Sequence, residues 1–295
     1  MKKGKYVFLI TGMAVSLTFM VGSVSALAAE KSADEIAKEL ANPAGSLASL
    51  IFNLQYLEYT GDLPKSDDQE SWTVTFQPVL PFPVGDKGRR IIFRPLFSLP
   101  FDQPIFDPVK GKFDSADLNL ADTTFDLVYA GTEMKTKKEG YLWGIGLAGT
   151  LPTATDDEIA GDQWRFGPEF FGGIIREWGI VGALVANQWR VGGSNDDDYS
   201  VMTAQYFYAY GLGGGWQIAS SPVLSYDWEA DSDDAWTVPI GVGLAKTTQF
   251  GKQPWKFQFQ VQKYLVQPDL FGPDWLVKFT VTPVVKNPFL ALWGK

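Results

Sequence analysis

The sequence predicts an all-β fold, an antiparallel up-and-down transmembrane β-barrel of about twelve strands preceded by a short helix. Three observations predict it. Apolar and polar residues alternate with period two along most of the chain, aromatic residues gather where those alternating runs begin and end, and the connections sort by charge according to parity. In "SWTVTFQPVLPF", Trp72, Val74, Phe76, Pro78, Leu80 and Phe82 share one face, while Ser71, Thr73, Thr75 and Gln77 begin the other.

Composition narrows the function classes. Of 295 residues, 15% are Phe, Trp or Tyr, with 11 Trp, an aromatic load that favours strands and membrane interfaces. There is neither cysteine nor histidine. Disulfides, thiolate or imidazole metal sites, Ser-His-Asp and Cys-His catalysis, and a lipid-modified cysteine are thereby excluded. No cofactor and no metal site is expected, and the chain reads as a non-enzyme.

The first element is "MKKGKYVFLITGMAVSLTFMVGSVSALAAE". Lys2, Lys3 and Lys5 form a basic region, an apolar run follows, and Ala26-Leu27-Ala28 is an A-x-A cleavage signature. Residues 1–28 therefore read as a signal peptide cleaved near Ala28, and export to the outer membrane of a Gram-negative cell is expected. A retained inner-membrane anchor is the alternative. Loss of three lysines and no acid would take the formal charge from −9 to −12, which disfavours nucleic acid as a partner.

Residues 29–46 carry the one good helix candidate and read as a periplasmic segment. Ser32 and Glu35 have capping-box spacing, Ile36 and Leu40 share a face, and Asn42-Pro43 ends it. A helix tethered at the barrel entrance is expected, with a lumen plug as the alternative. Residues 47–295 form the barrel. Alternating segments fall at about 47–59, 71–82, 89–100, 118–130, 140–151, 163–174, 178–190, 199–210, 215–227, 235–246, 254–266 and 274–285. Most reach the ~9–11 residues that a tilted strand needs to cross a bilayer.

Tyr56, Trp72, Tyr129, Trp143, Trp216, Tyr226, Trp236, Trp255 and Trp275 sit near segment ends on the apolar parity, as an aromatic girdle requires. One set of connections, including "GDLPKSDDQE", "TATDDEIAGDQ" and "GGSNDDDY", is long and acidic. The alternate set, including "PVGDKGRR", "GTEMKTKKEG" and "GLGGG", is short, Gly-rich and basic or neutral. Bacterial barrels pair short periplasmic turns with long outer loops, so both termini are expected in the periplasm.

The opposite parity would line the lumen: Arg90, Arg94, Asp122, Asp126, Arg165, Glu169, Arg190, Gln205, Gln217, Asp227, Gln258, Gln260, Gln262 and Lys278. Arg90 and Arg94 could pair with Asp122 and Asp126 across neighbouring strands, and Arg165 with Glu169 along one. Such charges set selectivity in an open pore or neutralise one another in a closed interior. Gly144, Gly146, Gly241 and Gly243 also fall on this parity, where they keep an interior clear or relieve curvature. Asp196–Asp198 and Asp231–Asp234 read as solvated loop charge, with weak divalent-cation binding the alternative.

The ordered motifs "ELANPAGSLASLIFNLQY", "FQPVLPF", "GIGLAGTLPTATDDEIAGDQWRFGPE", "VANQWRVGG", "GGWQIASSPVLSYDW", "WTVPIGVGLAK" and "GKQPWKFQFQVQKYLVQPD" cover most of the chain beyond residue 28. Together they resemble a family of Gram-negative outer-membrane transporters named after the meta-pathway of phenol degradation, often mislabelled neuromedin U. The resemblance implies a β-barrel channel or transporter for passive uptake of small solutes, aromatic or hydrophobic ones among them. Outer-membrane lipids, the solute and the outer-membrane assembly machinery are the expected partners. Two departures stand out: Arg190 occupies a place where the pattern has serine, and "NPFLALWGK" extends past the last strand. The competing reading is a structural or adhesive barrel plugged by its own side chains.

Overall fold

Strict alternation over ten or more residues, with β-branched and aromatic side chains on one face, satisfies the backbone only by pairing with a neighbouring strand. The computed structural model describes residues 31–85 and 87–293, so the signal-peptide expectation lies outside the described residues. Helix α1 (Ala33–Leu40) comes first, then β1 (Ala48–Thr60), β2 (Glu70–Val84), β3 (Arg89–Phe101), β4 (Gln103–Asp107) and β5 (Lys112–Ala116). β6 (Thr123–Met134), β7 (Gly140–Leu151), β8 (Gln163–Arg176), β9 (Gly179–Gly193) and β10 (Ser200–Gly213) follow. The chain continues through β11 (Trp216–Ser220), β12 (Val223–Asp227), β13 (Trp236–Phe250), β14 (Gln253–Val266) and β15 (Gly272–Val285).

These elements make a closed antiparallel barrel of twelve staves. β11 and β12 are two halves of one stave, and β4 and β5 form a separate hairpin in the longest loop. β15 pairs with β1, placing Phe279 opposite Leu54 and closing the ring, so neither sheet edge is left unpaired. The fourth stave starts at Thr123 rather than near 118, because residues 117–122 are held as loop: Ala121 donates to the Ser98 carbonyl and Leu120 to the Thr155 hydroxyl.

The apolar parity faces outward. Leu127 lies opposite Leu147, Ile145 opposite Phe170, Phe170 opposite Val185, Leu244 opposite Phe259, and Phe259 opposite Phe279. All of them are exposed large hydrophobics, Phe259 by 51%. A water-soluble sandwich would bury such residues between sheets; here they form a belt around the barrel.

Inside, the end of the barrel beside α1 is filled from its mouth. Ser32 caps α1, its hydroxyl accepting from Glu35 N while Glu35 Oε2 accepts from Ser32 N at 2.8 Å. Ile36 and Ala37 are buried against the barrel, with Leu47 and Val284 beside Ile36. Asp34 accepts from the backbone of Gly215 at 2.6 Å and of Gly214 at 3.2 Å in the β10–β11 turn. Their φ values of +81° and +60° favour glycine, and it is this geometry that turns both N–H groups toward one carboxylate. Asn42 and Pro43 then end the helix, and Ala44, wholly buried, packs into the interior against Ile92, Val128, Leu142 and Leu184. Helix α1 thus sits at the entrance, and the residues after it plug the mouth from inside.

Candidate functional site

Beneath this N-terminal segment lies a cavity of about 260 Å³. Its floor and walls combine Asn53, Gln77, Gln205, Gln258 and Gln260 with Ile51, Val79, Leu184 and Phe207, and four charged side chains reach it: Glu39, Arg94, Lys256 and Lys278. Alternation explains the lining, since every second residue of β1, β2, β10, β14 and β15 must point inward once the apolar set points out.

Arg94 anchors one side. Its guanidinium lies 2.8 Å from Asp126, its direct partner across the β3–β6 ladder, and 3.4 Å from the wholly buried Glu169 on β8. The pairing expected between Arg94 and Asp126 is present. Arg90 and Asp122 do not meet, because they lie at opposite ends of the barrel. Arg90 donates to the Ala44 carbonyl at 2.9 Å and so holds the plug. Asp122 precedes β6 and accepts from the backbone of Thr153, Ala154 and Gly161, knotting two long loops together. Arg165 does not reach Glu169 either. Its guanidinium stacks 3.9 Å over the Tyr199 ring and donates to Gln163, and four residues along one strand separate it from Glu169 by about 13 Å.

Arg190 bonds Asp196 and the Asn195 carbonyl, and Asp227 accepts from Glu229 N, so both brace the long-loop end. Asp234 likewise accepts from Asp269 N, which makes part of the acidic loop charge structural. Gln217 and Gln262 are buried on the wall, Gln205 donates to the Ser221 carbonyl, and Gln258 donates to both the Ala219 carbonyl and Gln260 Oε1. The inward glycines make room for neighbours. A Cβ on Gly144 would strike the Phe171 ring, and one on Gly241 would lie 2.7 Å from Gln262 Cγ.

The aromatic set divides between the two ends. Tyr56 packs on Trp72 at 4.9 Å and Tyr226 on Trp236 at 4.8 Å toward the long loops, where Trp275 lies under Lys263. Tyr129 packs on Trp143 at 5.7 Å, Trp216 opens β11, and Trp255 lies among the first residues of β14, beside the short turns.

The wall has a seam beside β13. β13 pairs with β11 only at Lys246–Leu244 and with β12 only at Thr237 and Trp236, leaving 219–224 and 238–243 unpaired with each other. Pro222 and Pro239 lack N–H groups there. Instead, the Tyr206 and Tyr208 hydroxyls reach over from β10 and donate to the carbonyls of Pro239 (3.2 Å) and Gly241 (2.9 Å).

A crystal structure of an outer-membrane channel from Pseudomonas putida F1 superposes with a TM-score of 0.54 at 14% identity, covering 81% of this chain and 94% of that one. The fold is that of an outer-membrane β-barrel. Outer-membrane phospholipase A from Escherichia coli is more distant, at a TM-score of 0.43 and 10% identity over 85% of this chain and 98% of that one. No family model matches the chain, and no curated protein matches it.

Lys256, Asn53, Thr280 and the Tyr206–Tyr208 clasp stand outside the lumen list drawn from parity. Lys256 carried the right signal, since it shares the inward parity of Gln258 and Gln260. The clasp carried none, because its partners are carbonyls more than thirty residues away.

Proposed function

We propose that this protein is an outer-membrane channel for passive uptake of small solutes, aromatic or hydrophobic ones among them, through the barrel interior. The observation that carries the reading is the cavity of about 260 Å³ retained within the barrel, with amide-bearing and apolar side chains both lining it. Plugged structural barrels have no need of such a space, whereas a solute path needs a waist that is polar enough to hydrate and apolar enough to admit a ring. The outward belt supports a reading in which the staves lie in lipid, the short turns face the periplasm and the long loops face outside. The resemblance of the ordered motifs to the meta-pathway transporter family supports the same reading. The histidine-free sequence removes the usual base of an outer-membrane serine lipase.

One observation favours the second reading, a closed structural barrel: Ala44 and its neighbours occupy the interior at the mouth. Single-channel recording of the refolded protein in planar bilayers separates the two. Discrete conductance steps are expected, and silence from protein shown to be folded would leave the plugged barrel standing.

A further inference from the structure

The cavity holds more cations than its surroundings neutralise. Of the four charged groups that line it, Glu39 is engaged by Lys31 and by the Ser46 hydroxyl, and Arg94 by Asp126 and Glu169. The remaining lining group that can ionise is the Tyr208 phenol, which donates outward to the Gly241 carbonyl. Lys256 and Lys278 are left with no carboxylate within 4.0 Å and no hydrogen bond among the described residues.

The groups beside them are short of acceptors as well. Gln258 must turn its amide nitrogen toward the Ala219 carbonyl, which fixes its other contact as a donation to Gln260 Oε1. Gln260 Nε2 is thereby left as a donor with no acceptor in a residue only 1% exposed. On β15, Thr280 donates to Asn53, which donates to Thr75, so that hydroxyl is committed too. In the β14–β15 ladder Gln260 stands opposite Lys278, Gln258 opposite Thr280, and Lys256 opposite Thr282. The two lysines therefore bracket one face, four residues apart along the strands, or about 13 Å at the usual strand rise.

Unpaired cations at the edge of a low-dielectric space are unfavourable unless an anion or water answers them. An inorganic ion would satisfy the charge and leave Ile51, Val79, Leu184 and Phe207 without a partner. We propose that this cavity binds a small organic carboxylate, its anionic head held by Lys256 or Lys278 and its apolar body against Ile51, Val79, Leu184 and Phe207. Two cationic stations in series allow the head to pass from one to the other, which is the arrangement that lets a bound ion leave as well as arrive. The inference rests on the channel reading for its purpose, but the site can be tested without it.

The test is calorimetric titration of the folded protein in detergent with sodium benzoate, and with benzamide as a neutral probe of the same shape. Saturable benzoate binding is expected, at least tenfold tighter than benzamide. Lys256→Gln and Lys278→Gln should each weaken it several-fold, Lys278→Arg should preserve it, and Lys252→Gln in the β13–β14 turn should change nothing. Equal binding of the two probes, no benzoate binding, or full binding by the Lys256→Gln/Lys278→Gln double variant would overturn the proposal; the probe comparison on the unmodified protein stands even if that variant fails to fold. Benzoate binding by a protein silent in bilayers would sink the channel reading and keep the site, and conductance without benzoate binding would do the reverse.

Discussion

Arg94 and Glu169 meet 3.4 Å apart although their strands, β3 and β8, are separated by β6 and β7 around the barrel wall. The contact therefore crosses the interior instead of following the ladder, and it ties two distant arcs of the ring together. Glu169 is wholly buried, and among the described residues Arg94 is the cation it meets. Removing the partner of a buried charge costs about 3–5 kcal/mol, so Arg94→Met should destabilise the folded barrel by that order. Denaturant unfolding in micelles reads the loss. Adding Glu169→Gln to Arg94→Met should restore part of it; if Arg94→Met unfolds at the same denaturant concentration as the unmodified protein, the cross-lumen pair contributes nothing.

The outward belt makes a second prediction. Phe259 is half-exposed on the outer face, opposite Leu244 and Phe279, while Gln77 lines the cavity. An arginine near mid-bilayer costs about 2–4 kcal/mol on the lipid face of a barrel, whereas a lumen position leaves it hydrated. Phe259→Arg should reduce the heat-modifiable, folded fraction in assembly assays, and Gln77→Arg should leave it near normal. Identical behaviour of the two variants would mean that inside and outside have been exchanged.

The seam is open to a third test. Each tyrosine hydroxyl that replaces a missing ladder bond is worth about 0.5–1.5 kcal/mol. Tyr206→Phe with Tyr208→Phe should leave the barrel folded but speed amide exchange at 219–224 and 238–243, with little change on β7 or β8. Uniform acceleration around the ring would show instead that the clasp supports the whole wall.

How much of this was legible in the sequence follows from the range of each interaction. Period-two alternation is local, so strands such as β14, with Trp255, Phe257 and Phe259 outward, could be read directly. So could the capping box of Ser32 and Glu35, which spans four residues. Gln258, Gln260 and Lys278 sit in mid-strand on the inward parity, and all three line the cavity. Where such a residue lies near a strand end, loops compete for its side chain. Asp122, Arg165, Arg190 and Asp227 all brace loops for that reason. The Arg94–Glu169 contact depends on ring closure and barrel radius, neither of which any stretch of sequence encodes on its own.

The plug offers the last test, and its direction follows from Glu39. Burial pushes this carboxyl up, but the Lys31 ammonium and the Ser46 hydroxyl and N–H bonded to it outweigh that effect and hold it below its ordinary value of 4.5. A carboxyl depressed in the folded state lends stability that is complete above its unfolded value and is lost as pH falls through the folded one. Docking of α1 should therefore be at full strength near neutrality and weaken below about pH 4, where Glu35, lowered chiefly by the Ser32 N–H bonded to it, also begins to protonate. If α1 and the residues after it restrict the interior, conductance per channel should rise reversibly on acidification through that range. Glu39→Gln should raise it already at pH 7, and a double cysteine variant, Asp34→Cys with Gly214→Cys, should abolish the rise when oxidised. Conductance that ignores both acid and Glu39→Gln would show that the segment, though seated inside the mouth, does not govern the path.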